Sequence, residues 1–503
     1  SHIIIHQYNK YFFEVEMKSR EYHKMIIDGE LVEASSKKYI PIEEPSTKTE
    51  FAYVPRGDYN DVDKAIISSS EAFKNWANVA PRDRGKILVK IAEEIEKNIE
   101  ELSKIIAKET GNAIRTQARP EANLVVDIFR YFGGLGGELK GETIPLGENN
   151  LCYTKREPLG VVGAIIPWNA PVMLGALKIA PALCAGNTIV IKAAEDAPLG
   201  ILFVSQLCQK FLPKGVLNLL TGTGPECGAP ISQSKKISKL SFTGSTEVGK
   251  LIMRAASERI LPISLELGGK SPSIVFPDAN EDWVVEGIIA AMRFTRQSQS
   301  CTAGSRLFIH EDIFDDFLEK LKLKLSKLKI GDPLDEETDI GTIINKKQYD
   351  KVCSYIKEGL DDKNTKLICG GLPNKDGKLN SGYFTLPTIF ANTSNNWRLA
   401  REEIFGPVLV AIKWKNEEDV INMANDSHYG LAAYIWTKNL TKGINIANRI
   451  ESGWIQINQG SGQVPGHSYG GFKQSGLGKE FSLEGMLDSY TQKKNITINL
   501  SLP

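Results

Sequence analysis

Between residues 159 and 191 the chain carries a single formally charged side chain, Lys178. A stretch this apolar belongs either in a bilayer or in a protein interior. Pro167, Asn169, Pro171 and Pro181 interrupt it, so no apolar run reaches the roughly 20 residues that a spanning helix needs. Two buried strands around a buried helix fit better. Residues 160–166 read as a strand covered on both faces, 172–184 as a helix and 188–192 as a second strand. The alternation continues with a helix at 198–211, a strand at 216–220, a helix near 225–233 and a strand at 238–242. Such a series predicts an open α/β sheet with right-handed crossovers.

A second unit of the same texture spans 267–465. It reads as strand 272–276, helix 281–296, strand 305–310, helix 312–328, strand 408–413, helix 417–425 and strand 432–436. Upstream, residues 61–109 repeat apolar side chains at helical spacing, and Asp58 or Asn60 can cap the first helix. Residues 143–158 look like an extended excursion, and 486–500 alternate like an edge strand. Two exposed strand segments invite pairing with another subunit.

The 503 residues exceed one ordinary core, and the 61 basic and 61 acidic side chains balance. That balance gives no support to a nucleic-acid or anionic-membrane partner. The seven cysteines are scattered, without a CxxC pair or zinc-ligand spacing, so no metal site is expected. A reducing, cytoplasmic compartment follows from that usage. The N-terminus lacks the apolar core of a signal peptide, and residues 1–23 read as an extension outside the fold.

Five short segments carry candidate chemistry. Cys301 lies in Arg-Gln-Ser-Gln-Ser-Cys-Thr-Ala-Gly-Ser-Arg (296–306), between a helix and a strand. It reads equally as an inert thiol or as a nucleophile whose pKa backbone amides or a nearby cation would lower. Glu266, in Leu-Glu-Leu-Gly-Gly-Lys (265–270), is either a salt-bridged carboxylate or a general base raised by desolvation. Asn169, in Pro-Trp-Asn-Ala-Pro (167–171), follows a strand end, where ligands bind in open α/β sheets. Its amide can meet an oxyanion. Phe-Thr-Gly-Ser-Thr-Glu-Val-Gly (242–249) is a strand-to-helix turn whose N–H groups can face an anion, although GxGxxG is absent. Glu195, in Lys-Ala-Ala-Glu (192–195), can bind ribose hydroxyls and repel a 2′-phosphate, or form a plain surface pair with Lys192.

With Glu-Glu-Ile-Phe-Gly-Pro-Val (402–408) and Gly-Gly-Phe-Lys-Gln-Ser-Gly (470–476), these segments in this order closely resemble the aldehyde dehydrogenase superfamily. The resemblance runs from about residue 24 to the end. It implies an α/β fold with a Rossmann-like cofactor domain (24–142 and 159–266), an α/β catalytic domain (267–465) and a return segment (466–483). A small β oligomerisation extension (143–158 and 484–503) would build a homodimer or homotetramer. The resemblance makes Cys301 the nucleophile, Glu266 the general base and Asn169 the oxyanion donor. Glu480 and Lys178 would assist proton release. The cofactor, NAD with NADP possible, would lie along Ile165, Pro167, Trp168, Lys192, Glu195, Gly224, Gly244, Ser245, Leu267, Glu403 and Phe405.

Two departures from the family pattern stand out. Its Gly-Gln-x-Cys is Ser298-Gln299-Ser300-Cys301 here, and its Lys-Pro-x-Glu carries Ala193. The tunnel positions Ala170, Leu174 and Leu177 hold small or aliphatic side chains. Thr295, Ser300, Thr302 and Gln463 are polar, and Tyr469 keeps one ring. A partly polar tunnel suits a hydroxy-, amino- or semialdehyde. Arg296 could anchor a carboxylate, although a helix-end arginine is usually solvated. Three other readings remain open: a CoA-acylating relative, which would usually lack Glu266; a non-catalytic relative, which would lose the nucleophile or the oxyanion donor; and an unrelated cysteine hydrolase, which would need a partner histidine.

Overall fold

The computed structural model describes residues 21–374, 377–391 and 394–502. Of the extension expected over 1–23, residues 1–20 lie outside them, whereas Glu21–Tyr22 belong to the fold as a short strand parallel to Thr49–Pro55. The first helix, Tyr59–Trp76, starts at Asp58, whose side chain accepts from Asn60 N while Asp61 reaches back to the Asp58 amide. This reciprocal cap settles the choice between Asp58 and Asn60.

The apolar stretch becomes the centre of an eight-stranded sheet. Val161–Ile165, the buried helix Pro171–Cys184 and Thr188–Lys192 appear where the hydrophobic runs placed them. Five parallel strands run in the order Ile263–Glu266, Lys239–Thr243, Val161–Ile165, Thr188–Lys192, Leu217–Leu220. The chain builds outward from Val161–Ile165 to one side, then returns to build the other. The strand order therefore reverses beside Val161–Ile165, opening a crevice at its carboxyl end and that of Lys239–Thr243. Met25–Ile27 and then Glu30–Val32 close one edge and Gly476–Leu477 the other, all antiparallel to their neighbours.

A seven-stranded sheet forms the second unit, in the order Lys366–Cys369, Thr388–Ala391, Val408–Trp414, Arg306–His310, Pro272–Val275, Ala432–Trp436, Trp454–Ile457. All are parallel except the first. A third sheet pairs Thr491–Asn499 with Asn150–Pro158, Thr491 opposite Pro158 and Asn499 opposite Asn150, with Thr143–Ile144 outside.

Three sequence expectations need correction. The strand expected over 486–500 begins only at Thr491, because Leu483–Tyr490 is a helix capped by Ser482, whose side chain accepts from Gly485 N. Met486 and Tyr490 bury at helical spacing there and override the alternation. The helix near 225–233 opens as a wide π turn, Gly224–Gly228, before Ala229–Gln233. The helix expected to reach 296 stops at Ala291, because Arg293 adopts φ +57° and a 3₁₀ turn, Phe294–Arg296, follows. Among the described residues no helix is long and apolar enough to cross a membrane.

Gly476 ties the return segment to the strand that ends in Glu266. Its φ is +146°, and a Cβ there would lie 2.0 Å from the Leu265 carbonyl oxygen. Gly476→Ala should destabilise the fold by about 1–3 kcal/mol, read as a lower thermal midpoint. An unchanged midpoint would mean that this edge is not strained.

Candidate active site

Cys301 sits in the turn between Phe294–Arg296 and the strand Arg306–His310, at the mouth of the crevice. Gly269 makes this approach possible, since a Cβ there would meet the Cys301 carbonyl oxygen at 2.4 Å. The Cys301 Sγ lies 3.4 Å from the Tyr469 hydroxyl. Burial pushes the thiol up to about 12, and the carboxylates of Glu266 and Glu403 add to the rise. The depression expected from amides or a cation is thus not the net effect; desolvation dominates.

Glu266 ends its strand with both carboxylate oxygens buried and without a hydrogen-bond partner. Burial and the neighbouring Glu480 hold its proton affinity well above the ordinary carboxylate range, as its leucine flanks predicted. Glu480 in turn lies 2.5 Å from Lys178 Nζ through Oε1, while its Oε2 has no partner. The Asn169 side-chain amide donates to the Gln299 carbonyl at 3.1 Å, leaving its second N–H for another acceptor. The Asn169 backbone carbonyl accepts from Asn112 Nδ2 and Arg296 Nη1.

Two cavities meet here. One, of about 630 Å³, runs along the crevice, lined by Pro167, Trp168, Glu195, Gly244, Ser245, Leu267, Glu403 and Phe405 among others. The other, of about 360 Å³, lies on the opposite side. Asn169, Leu174, Thr243, Glu266 and Cys301 belong to both walls.

In the larger groove Ser245, whose side chain accepts from Val248 N, caps the helix Thr246–Ser257, so this helix begins at the groove wall. Trp168 and Phe405 meet edge to face at 5.4 Å. Glu403 accepts from Gly269 N at 2.7 Å, and burial pushes its carboxyl up to about 7. Glu195 accepts from Gly224 N at 2.7 Å. Lys192, Ile165 and Gly224 sit at the margin, not in this wall. The Lys192 amine is buried, bonds to the Ala193 carbonyl, and its stem lies beside Ile165 against the Gly228 turn. Asp196, Asn345, Lys347, Gln348 and Lys351 also line the groove. No sequence motif marked the four positions after 340, which are the cap and first turns of the helix Lys346–Asp361, on polar side chains that its buried residues Val352, Tyr355 and Ile356 do not single out.

In the smaller cavity Ala170, Leu174, Thr295, Ser300, Gln463 and Tyr469 lie where expected. Leu177 does not: it is 1% exposed and packs in the main core. Thr302 is equally buried, its hydroxyl 3.0 Å from that of Ser300. Arg296 is not solvated. The early end of the helix turns it inward, where its Nε donates to Gln117 Oε1 at 2.9 Å and its Nη1 lies 3.6 Å from Glu121. Gln117, Glu121, Met173, Arg293 and Phe481 complete a wall that sequence spacing did not reveal.

A doubly wound sheet whose crevice, at a buried thiol and a buried carboxylate, meets a second cavity has room for a nucleotide cofactor beside a small substrate. Comparison supplies the class. The family model described as the aldehyde dehydrogenase family matches residues 31–496. An aldehyde dehydrogenase from Bacillus cereus, solved as an NAD+ complex, is 36% identical over 97% of this chain and 99% of its own, with a TM-score of 0.93. PnpE from Pseudomonas sp. WBC-3 is 36% identical over 96% of this chain and 98% of its own, TM-score 0.93. The betaine aldehyde dehydrogenase betB of Staphylococcus aureus is 33% identical over 96% and 95%, TM-score 0.92. The chain belongs to the aldehyde dehydrogenase family.

Leu177→Ala separates core from cavity. It should cost about 2–5 kcal/mol in urea unfolding while leaving the ranking of aldehyde substrates unchanged. A changed ranking would return Leu177 to the cavity wall.

Proposed function

We propose that this enzyme oxidises an aldehyde to its carboxylic acid with NAD, through a thiohemiacetal and then a thioester on Cys301. The observation that carries the reading is the convergence of two cavities on Cys301, Glu266 and Asn169. One is large enough for a dinucleotide and the other for a small aldehyde. The groove fits the cofactor. The N–H groups behind Ser245 suit a pyrophosphate. Glu195 beyond a strand end suits ribose hydroxyls and disfavours a 2′-phosphate, which favours NAD over NADP. Glu403 suits the second ribose, beside the rings of Trp168 and Phe405. Bound there, the nicotinamide supplies the hydride acceptor.

The chain's own residues perform the rest. Cys301 loses its thiol proton to the Glu266 carboxylate, and the sulfur pair attacks the carbonyl carbon. The carbonyl π pair moves to oxygen, which the free Asn169 N–H and the Cys301 backbone N–H meet. Those donors act on charge present only in transit, so they accelerate more than they bind. Glu266 passes the thiol proton out by way of Glu480 and so is again a carboxylate after oxidation; it then takes a proton from water as the water oxygen attacks the thioester. The C–S bond breaks and its pair returns to sulfur. Glu480 and Lys178 are placed behind Glu266 to relay that proton. Glu266 also weighs against a CoA-acylating activity, and the intact Cys301–Asn169 pair against a non-catalytic role.

The chamber supports a polar aldehyde of small to medium size: hydroxyl or amide groups of Ser300, Thr295, Gln117 and Gln463 face it, with Arg296 and Glu121 at its wall. The exposed strand Thr491–Asn499 and its partner support assembly into a homodimer or homotetramer. The absence of disulfides among the described residues agrees with a cytoplasmic setting.

Cys301→Ala should abolish NADH production yet leave NAD binding nearly intact by titration; retained turnover would overturn the nucleophile. Because Glu266 is raised, its base form grows as pH climbs past the ordinary carboxylate range, so thioester hydrolysis should rise with it. Glu266→Gln should remove that rise and slow hydrolysis about 10²–10⁴-fold in single-turnover measurements. A variant with the wild-type profile would place the base elsewhere.

A further inference from the structure

Tyr469 entered as a ring in the tunnel wall, yet the structure puts its hydroxyl 3.4 Å from the Cys301 sulfur. We propose that Tyr469 is a catalytic residue: its hydroxyl donates a hydrogen bond to Cys301 Sγ, holding the sulfur as a thiolate for attack. It receives the same sulfur again when the thioester breaks. The inference rests on the reaction proposed above.

The phenol is held in place from several sides. Tyr469 is 2% exposed, with Trp454 edge-on at 5.6 Å and Phe481 edge-on at 5.7 Å. Its backbone forms an antiparallel bridge with Glu480: Glu480 N donates to the Tyr469 carbonyl at 2.7 Å, and Tyr469 N to the Glu480 carbonyl at 3.2 Å. The residue presenting the hydroxyl to sulfur is thus tied to the one behind the general base. Gln463 also acts on the phenol oxygen.

The charges around the sulfur show why a donor is needed. Glu266 and Glu403 both oppose a thiolate, and so does burial. Arg296 favours one electrostatically, but its Nε and Nη1 are engaged with Gln117, the Asn169 carbonyl and Glu121. Tyr434, also near, commits its hydroxyl to the Thr302 carbonyl at 2.8 Å. Among the described residues, Tyr469 supplies the side-chain donor at Sγ. Burial, with Cys301 and Glu266 adjacent, pushes its own phenol well upward, so it keeps its proton throughout. No bond to Tyr469 forms or breaks: the thiol proton goes to Glu266, and the carbon–sulfur bond forms and later breaks while the hydroxyl remains a donor. A hydrogen bond to a charged acceptor is the strong kind, and the thiolate gains more from it than the thiol.

The test is carbamidomethylation of Cys301 by iodoacetamide in cofactor-free enzyme, followed by peptide mass spectrometry across a pH series. Tyr469→Phe should slow alkylation about tenfold at neutral and mildly alkaline pH, the rate profile lying about one pH unit to the alkaline side of the wild type. Retained NAD binding would show an intact fold. Superimposable profiles for Tyr469→Phe and the wild type overturn the proposal, and so does a shift seen only in Tyr469→Ala, which would make the ring a wall and nothing more. The readout needs no aldehyde turnover. A shifted profile in an enzyme that oxidises no aldehyde would sink the proposed function and leave the tyrosine's role standing.

Discussion

The burial of the Glu266 carboxylate, both oxygens unpaired, is the interaction on which the rest of the molecule is organised. A carboxylate withdrawn from bulk water and without a protein hydrogen-bond partner is disfavoured in its charged form, so its proton affinity rises. Such a residue survives only where neighbouring structure fixes it beyond its own preferences. Its strand pairs in register with Lys239–Thr243 on one side and with Gly476–Leu477 on the other. The return segment that supplies Gly476–Leu477 also delivers Tyr469 and Glu480 to the same place. One edge of a sheet therefore positions the carboxylate, a second carboxylate behind it and a phenol beside the thiol.

The same desolvation explains why Lys178 interrupts an otherwise uncharged stretch. The lysine is fully buried and meets Glu480 at 2.5 Å, so the helix Pro171–Cys184 carries its one charge to a partner 302 positions later in the chain. A buried pair of this kind adds little net stability against apolar side chains of similar size, but removing one member leaves the other stranded. Its geometric effect is to fix the Glu480 carboxylate close to Glu266. The core of the cofactor unit and the polar line to the site are thus parts of one helix.

Much of this was legible because burial on both faces leaves a strong trace in sequence. The strand Thr188–Lys192, the helix Glu417–Asn425 and the strand Ala432–Trp436 lie at the residues their apolar runs marked. Cys301 and Asn169 follow elements that the alternation had located, whereas the strand Ile263–Glu266 that carries Glu266 was not among the strands read from the sequence. What was not legible depends on contacts far apart in the chain. Nothing local says that Leu177 faces the core while Leu174 faces the chamber, or that Arg296 turns inward to Gln117. The tyrosine hydroxyl at the sulfur is likewise set by the bridge to Glu480. Tail residues 486–490 misled for the opposite reason: alternation there was real, but a serine cap and two buried side chains at helical spacing outweighed it.

The turn that carries Cys301 shows how these distant contacts are enforced. Arg293, Gln297 and Ser298 all adopt φ between +52° and +57°, a region where a side chain costs about 1–2 kcal/mol per residue. Ser298 stands where the family pattern has glycine, and its hydroxyl is buried without a partner. Side-chain anchors hold this strained path. Arg293 donates to the carbonyls of Gly460 and Ser461, on the chamber's far wall. Gln297 donates to the carbonyls of Gly341 and Thr385, and Gln299 binds the backbone of Thr342 and Ile344. Residues 341–344 lead directly into the helix whose Lys347 and Lys351 line the cofactor groove. The thiol turn is thereby fastened to the chamber on one side and to the groove on the other. A shift in either wall must move through side chains that are already fully bonded, which keeps Cys301 at the point where both cavities open.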